Sequence, residues 1–282
     1  GVTPPRRFDL KGISALVTGA SEGIGVAIVE RLAAEGVARI AIAARRRAKL
    51  EEVAARVEAQ HPGTQVLVVE ADVSRTVACE ALAARVLQEF GTCELLVNNA
   101  AVPGVMHFER ASGARVDQVL DVNLRGAIQL ARCLVPSMVE AGRGHVVNIA
   151  SLAGKGIEPL NGVYAASKYG LLGWSRALRA EMRLQGLGVT VNVVVPGFVT
   201  GTGMAADPSH ELAIDEIFAA AVASGGSCTP EDVAAAVVRA VAFDEPELVV
   251  NSRQTRRRLA WDLALGQLFP RRPDYALASK GF

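Results

Sequence analysis

Tyr164 and Lys168 stand four residues apart in the segment Tyr-Ala-Ala-Ser-Lys. On a helix this spacing projects both side chains from one face. A phenol ionises near pH 10 and is a poor base at neutral pH, but a neighbouring ammonium favours the phenolate. Each tenfold gain in ionisation is worth about 1.4 kcal/mol. A second chemical signature runs Thr18-Gly19-Ala20-Ser21-Glu22-Gly23-Ile24-Gly25. Glycines at these three positions let the backbone turn tightly and approach a pyrophosphate with no Cβ in the way. A helix beginning there presents free N–H groups and its positive dipole end to the same anion.

Both signatures need a frame to hold them. Short β-branched runs at 13–18, 39–43, 65–70, 94–97, 144–150, 189–195 and 247–250 are expected strands. Their apolar residues are nearly continuous rather than alternating, the pattern of parallel strands covered on both faces. Helical periodicity fills 24–35, 47–60, 76–90, 114–138 and 163–185, with Gly36, Gly91, Gly142 and Gly186 where helix C-termini are wanted. The fold class is therefore α/β: one doubly wound parallel sheet of about seven strands with helices on both faces. The glycine loop falls at the first strand–helix junction, which favours a dinucleotide site over a chance turn.

Composition agrees with one such domain. The chain has 282 residues, half of them hydrophobic and 21% charged, enough apolar material for a sizeable core. Thirty basic against 29 acidic residues leave +1, so no global basic field points to nucleic acid. Cys79, Cys93, Cys133 and Cys228 show no CxxC spacing and no nearby histidine in metal-ligand spacing. No metal site or disulfide framework is expected, and a reducing, cytoplasmic setting follows. The first ten residues lack the apolar stretch of a signal peptide, and no run is long and apolar enough for a membrane span. Residues 1–250 read as a dinucleotide-binding catalytic domain. Residues 251–282 read as a helical appendage carrying seven basic and two acidic side chains, which leaves the rest of the chain at −4.

The glycine segment, written Thr-Gly-x-x-x-Gly-x-Gly, resembles the cofactor fingerprint of the short-chain dehydrogenase/reductase family. Further marks of that family follow in order: Asp72-Val73, Asn98-Asn99-Ala100-Ala101, Asn123, Ser151, Tyr164 with Lys168, and Pro196-Gly197. The resemblance spans roughly 10–245 and departs from the usual Asn-Asn-Ala-Gly at Ala101. It implies a Rossmann-type fold in which Tyr164 exchanges a proton with the substrate oxygen while nicotinamide hydride adds to the carbonyl carbon. Ser151 would hold that oxygen, Lys168 would lower the Tyr164 pKa and bind the nicotinamide ribose, and Asn123 would position a water leading to solvent. It also implies a cofactor site built from Thr18, Gly19, Ser21, Glu22, Gly23, Ile24, Gly25, Arg45, Arg46, Asp72, Val73, Asn99, Ala100, Ala101, Pro196, Gly197, Val199 and Thr200, together with Tyr164 and Lys168.

The resemblance also bears on which nicotinamide is used. NAD-dependent relatives place an acid at the end of the second strand; here Ala44 stands there, and Arg45 follows where NADP-binding relatives place an arginine. A guanidinium can hold a 2′-phosphate bidentately. Glu22 opposes this, standing where many NADP-preferring relatives have a basic residue. NADP(H) is the expected cofactor, with NAD(H) the alternative.

Substrate choice falls to the loops at 102–108, 152–162 and 198–227. Val105, Met106, Leu152, Ile157, Leu160, Phe198 and Met204 make them mainly apolar, with Lys155 the one cation of the second loop. A hydrophobic ketone or its secondary alcohol is expected. A 3-oxoacyl thioester or a lipid ketone such as ketosphinganine is the alternative within the enzymes. A catalytically silent, cofactor-sensing or scaffolding relative is the alternative outside them, although Ser151, Tyr164 and Lys168 are all retained. The appendage is expected to pack on the domain or a partner subunit, or to make peripheral contact with an anionic membrane. The family likeness implies a homodimer through the helices at 114–138 and 163–185, with a tetramer as the alternative.

Overall fold

The computed structural model describes residues 8–156, 160–202 and 227–251. The expected appendage therefore lies outside the described residues apart from Asn251, as do Ile157 and Met204.

Seven parallel strands form one sheet: β1 (Ser14–Thr18), β2 (Arg39–Ala44), β3 (Gln65–Glu70), β4 (Leu95–Asn98), β5 (Gly144–Ile149), β6 (Val189–Pro196) and, after a two-residue ladder, β9 (Glu247–Val250). Their order is β3-β2-β1-β4-β5-β6-β9, so the winding reverses between β1 and β4. Every strand in the sheet pairs parallel, Leu16 lying between Ala41 of β2 and Leu96 of β4. The short ladder joins β7 (Phe198–Val199) to β8 (Ser227–Cys228).

The continuous apolar runs are explained by two cores. Successive residues of a strand point to opposite faces. Val17, Leu95 and Val97 join Ile28, Leu32, Ile40 and Val237 on one face, while Leu16, Leu96 and Val146 join Leu82, Val86, Leu130 and Leu134 on the other. Burial of each such side chain contributes about 1.5–3 kcal/mol. The first face is covered by α1 (Gly23–Ala34), α2 (Arg47–Gln60) and α7 (Pro230–Phe243). The second is covered by α3 (Thr76–Phe90), α4 (Gly113–Leu120), α5 (Gly126–Glu140) and α6 (Gly162–Gln185). The four cysteines are free, and burial pushes the Cys93 thiol up to about 12.

The helix ends follow the glycine signals. Gly91 and Gly186 cap α3 and α6 in the left-handed conformation, and Gly36 and Gly142 take positive φ just beyond α1 and α5. Two sequence expectations need correction. The helix expected over 114–138 is broken by a π-helical turn at Asp121–Arg125, which separates α4 from α5. α7 was absent from the expected helices, although it carries its own start signal: the Thr229 hydroxyl accepts from Asp232 N–H, Asp232 accepts from Thr229 N–H, and Pro230 follows the cap.

Candidate active site

The strand order opens a crevice at the C-terminal ends of β1 and β4. Its floor is held by Thr18, whose Oγ1 accepts from the N–H groups of Asn99 and Ala100 at 3.0 and 3.1 Å. Asn99 Nδ2 returns two bonds, to the carbonyls of Thr18 and Gly19. Gly19 sits at φ +65°, and a Cβ there would lie 2.8 Å from Ala100 Cα; one on Gly25 would lie 2.1 Å from the Gly19 carbonyl oxygen. Only glycine permits so close a turn. α1 starts inside it with no side-chain cap, which leaves its first-turn N–H groups to a ligand anion.

The other residues expected at the cofactor site lie at or beyond the C-terminal ends of β1, β2, β3, β4 and β6. Gly23 faces Thr202 of the loop after β7, a Cβ on it falling 3.4 Å from Thr202 Cγ2. Val199 lies in β7 and Thr200 N–H donates to the Cys228 carbonyl, while Gly197 N–H donates to Val250 beside Pro196. Ile24 packs on the core. Asp72 closes its own turn by accepting from the Ser74 N–H and hydroxyl, with Val73 buried next to it. Ala101 is half-buried where the strand leaves for the next loop. At the end of β2, Arg45 is exposed and Arg46 reaches back to Ser21 and Glu22. Alanine at 101 in place of glycine leaves the β1–β4 locking bonds intact.

The residues expected to react lie beyond β5, Ser151 in the turn that follows the strand and Tyr164 and Lys168 on α6. Lys168 is only 2% exposed, and its Nζ donates to the Ile149 carbonyl at 2.9 Å. It lies 5.5 Å from the centroid of the Tyr164 ring. Burial pulls its pKa down from the ordinary 10.5 to about 8. A buried ammonium next to a phenol favours the charged phenolate over the neutral form. Tyr164 is half-buried in the first turn of α6, its carbonyl accepting from the Ser167 hydroxyl at 2.6 Å. β5 delivers both the carbonyl that holds Lys168 and, two residues on, Ser151. The Ser151 hydroxyl oxygen accepts from Ala153 N–H in a short turn that packs on α6: a Cβ on Gly154 would lie 2.9 Å from the Lys168 carbonyl. The hydroxyl hydrogen remains for a substrate oxygen.

Asn123 stands in the π-helical turn. Its side chain accepts from the Val102 N–H and donates to the Val102 carbonyl, at 2.8 and 3.0 Å, and also donates to Ser167. It thus ties the loop after β4 to the helix carrying Tyr164. π turns occur often at functional sites.

Several supporting contacts were not expected from the sequence, although Asn98 belongs to the Asn98-Asn99-Ala100-Ala101 mark. Asn98 donates to Asn148, Asn148 to Ser175, and Ser175 to the Leu171 carbonyl, a buried polar chain linking β4, β5 and α6. Asn98 Oδ1 is buried with no partner among the described residues. The signal was visible as asparagine inside apolar strands, where an amide must have a partner. Gly104 also escaped notice: a Cβ there would lie 2.8 Å from Tyr164 Cβ. Of the expected pocket residues, Met106 is buried in the core, and Lys155 is engaged with Glu247, which also pairs with Arg176. Among the described residues, no group of three His, Cys, Asp or Glu could hold a metal ion, and no helix is long and apolar enough to cross a membrane.

The family model for short chain dehydrogenases matches residues 14–213. The chain belongs to the short-chain dehydrogenase/reductase family. It is 37% identical to a ketoacyl reductase, HetN, of Nostoc sp. over 94% of its length and 88% of that protein's. A short-chain dehydrogenase/reductase from Burkholderia phymatum, solved with NAD, superposes with TM-score 0.83 at 28% identity, covering 94% of this chain and 99% of that one. A metagenomic short-chain oxidoreductase solved with NADP gives 0.71 at 33% identity, covering 86% and 98%. This short-chain dehydrogenase/reductase is thus an oxidoreductase acting between CH–OH and C=O with NAD(P)(H). The uncapped helix N-terminus, the glycine turn and the buried Lys168 fit that cofactor. When bound, the nicotinamide supplies or takes up the hydride at carbon. The chain's own residues move the proton at oxygen.

Proposed function

We propose that the chain catalyses the NADPH-dependent reduction of a ketone carried on an apolar substrate. The observation that carries this reading is the buried Lys168 ammonium beside Tyr164, since no carboxylate among the described residues is bonded to it. Its charge acts instead on the neighbouring phenol. Tyr164 donates the proton to the carbonyl oxygen, and the Ser151 hydroxyl hydrogen-bonds the same oxygen as negative charge develops. Lys168 holds the nicotinamide ribose, and Asn123 holds the loop that faces it. The preference for NADPH rests on Ala44, which stands where an acid would receive the ribose hydroxyls, and on the guanidinium groups of Arg45 and Arg46 that follow it.

A second reading, a 3-oxoacyl thioester as substrate, is favoured by the likeness to a protein named ketoacyl reductase. Both readings share the reacting groups and differ only in what the loops admit. The deciding experiment follows loss of NADPH absorbance with a panel of free hydrophobic ketones and 3-oxoacyl thioesters of matched chain length. Turnover of thioesters alone supports the second reading; turnover of free ketones at equal or greater kcat/KM supports the first. No turnover of either class, with cofactor bound, would refute both. The protein works as a homodimer in this proposal, joined through the outer faces of α4, α5 and α6, in a cytoplasmic setting.

A further inference from the structure

Residues 102–106 follow β4 and pass over the first turn of α6, and four separate contacts pin them. Asn123 bonds both backbone groups of Val102. Arg115 of α4 donates through Nη2 to the Pro103 carbonyl at 2.7 Å and through Nη1 to Gln118 Oε1 at 2.7 Å. Gly104 lies so close to Tyr164 that a Cβ there would fall 2.8 Å from Tyr164 Cβ and 3.2 Å from its backbone nitrogen. Met106 N–H donates to the Leu160 carbonyl at 2.8 Å. Leu160 is held at φ 64°, a left-handed conformation that a leucine rarely takes. Such strain persists only where the surroundings over-determine the backbone. Among these ties, the bond to Pro103 is the one made by a side chain outside the expected site.

We propose that Arg115 is a positioning residue for the reaction: it holds residues 102–106 against Tyr164 and so keeps the phenol turned toward Lys168. The inference rests on Tyr164 as the proton donor. A side chain occupies staggered wells, and a backbone held at its Cβ limits which of them the ring can take. The wells matter here because the Lys168 ammonium lies 5.5 Å from the ring centroid. A guanidinium donating to a carbonyl makes a charge-assisted bond, stronger than a neutral one. Its planar fork, shared between Pro103 and Gln118, also fixes the direction from which the loop is held. Without Arg115, Pro103 and Gly104 can drift from Tyr164 while α6 stays anchored through Lys168 to Ile149 and through Ser175 to Asn148.

The test reads the phenol directly. Ultraviolet absorbance follows Tyr164 as it ionises with rising pH, the Tyr164→Phe protein supplying the background from Tyr169 and Tyr275. Arg115→Gln should raise the pH at which Tyr164 ionises, because a ring that wanders spends less time beside the ammonium. With the ketone or thioester of highest kcat/KM in the panel above, kcat should fall about ten- to thirtyfold, KM and NADPH affinity staying within about twofold. Arg115→Lys keeps a donor able to reach the Pro103 carbonyl and should recover most of the lost kcat. An unchanged Tyr164 ionisation, a loss carried by KM or NADPH affinity instead of kcat, or a lysine no better than glutamine would each overturn the proposal. So would high salt producing the same loss in the wild type, since Arg115 would then act as a distant charge. Wild-type protein in which Tyr164 ionises like a free phenol would overturn the reading of Tyr164 itself. The difference between wild type and Arg115→Gln still measures the tie in that case, so the two failures are told apart.

Discussion

Lys168→Met should make the protein more stable and nearly inactive at once. The lysine is buried, and its fall from 10.5 to about 8 means that keeping it charged at neutral pH costs the fold roughly 3 kcal/mol. Methionine fills the same channel with an unbranched stem and no charge. Against the gain stands the hydrogen bond to the Ile149 carbonyl, whose loss costs about 1–2 kcal/mol. The balance is a stabilisation of about 1–2 kcal/mol, or a rise in Tm of roughly 2–5 °C for a chain of this size. Turnover should fall by a factor of about a thousand or more, because the ammonium no longer favours the Tyr164 phenolate. Calorimetry and steady-state kinetics on the same preparation check both. A Tm lower by several degrees with turnover kept within tenfold would refute the reasoning, since Lys168 would then be an ordinary packing residue. The sign of the pH dependence follows from the same shift. The unfolded chain binds more protons than the folded one between about pH 8 and 10.5, so the wild type gains stability as pH rises through that window. Lys168→Met should lack this gain.

Tyr164→Phe should abolish turnover, by about a thousandfold or more, and leave the NADPH dissociation constant within about twofold, read by fluorescence titration. Gly104→Ala should lower kcat by about ten- to a hundredfold with cofactor affinity unchanged, because the new methyl group would sit 2.8 Å from Tyr164 Cβ and must displace the phenol or the loop; normal kcat would show that the loop yields instead. His145 lies buried between Thr190 and Asn192, and burial pulls its pKa down to about 4. The unfolded chain binds the extra proton between pH 4 and 6.5, so stability is full above 6.5 and falls by up to roughly 3 kcal/mol on acidification to 4. Urea unfolding at the two ends of that window should show the loss in the wild type and a smaller loss in His145→Gln.

Much of the sheet was legible because burial on both faces leaves a mark that local reasoning can read. Val17 and Leu16 point to different cores, so neither position tolerates a polar side chain, and the run stays apolar. The glycine loop was legible for a similar reason, since a Cβ on Gly25 has nowhere to go. The π turn at 121–125 was not. Its residues carry an ordinary helical pattern, and the contact associated with the extra residue per turn is tertiary, Asn123 meeting both backbone groups of Val102 some twenty residues away. Gly104 was illegible on the same ground: the crowding that demands glycine comes from Tyr164, sixty residues on. Expected pocket residues divided likewise. Met106 and Val105 are adjacent apolar residues in one loop, and only the packing reveals that Met106 belongs to the core.

The polar residues inside the apolar sheet explain how such a site can be held rigid. Loops alone would leave the phenol, the ammonium and the serine hydroxyl loose by more than proton transfer tolerates. Here Ser151 follows the end of β5, Lys168 is bonded to Ile149 at that end, and Tyr164 shares α6 with Lys168. β1 and β4 are locked through Thr18 and Asn99, β4 and β5 through Asn98 and Asn148, and β5 to α6 through Asn148 with Ser175 and through Ile149 with Lys168. A buried amide left unpaired costs about 1–3 kcal/mol, so a slip of α6 along β5 breaks several bonds at once with no water to replace them. The glycine crevice and the Tyr164 helix are therefore joined through the middle of the sheet. Loops beyond the strand ends that do not pack on α6 can then vary without moving Ser151, Tyr164 and Lys168.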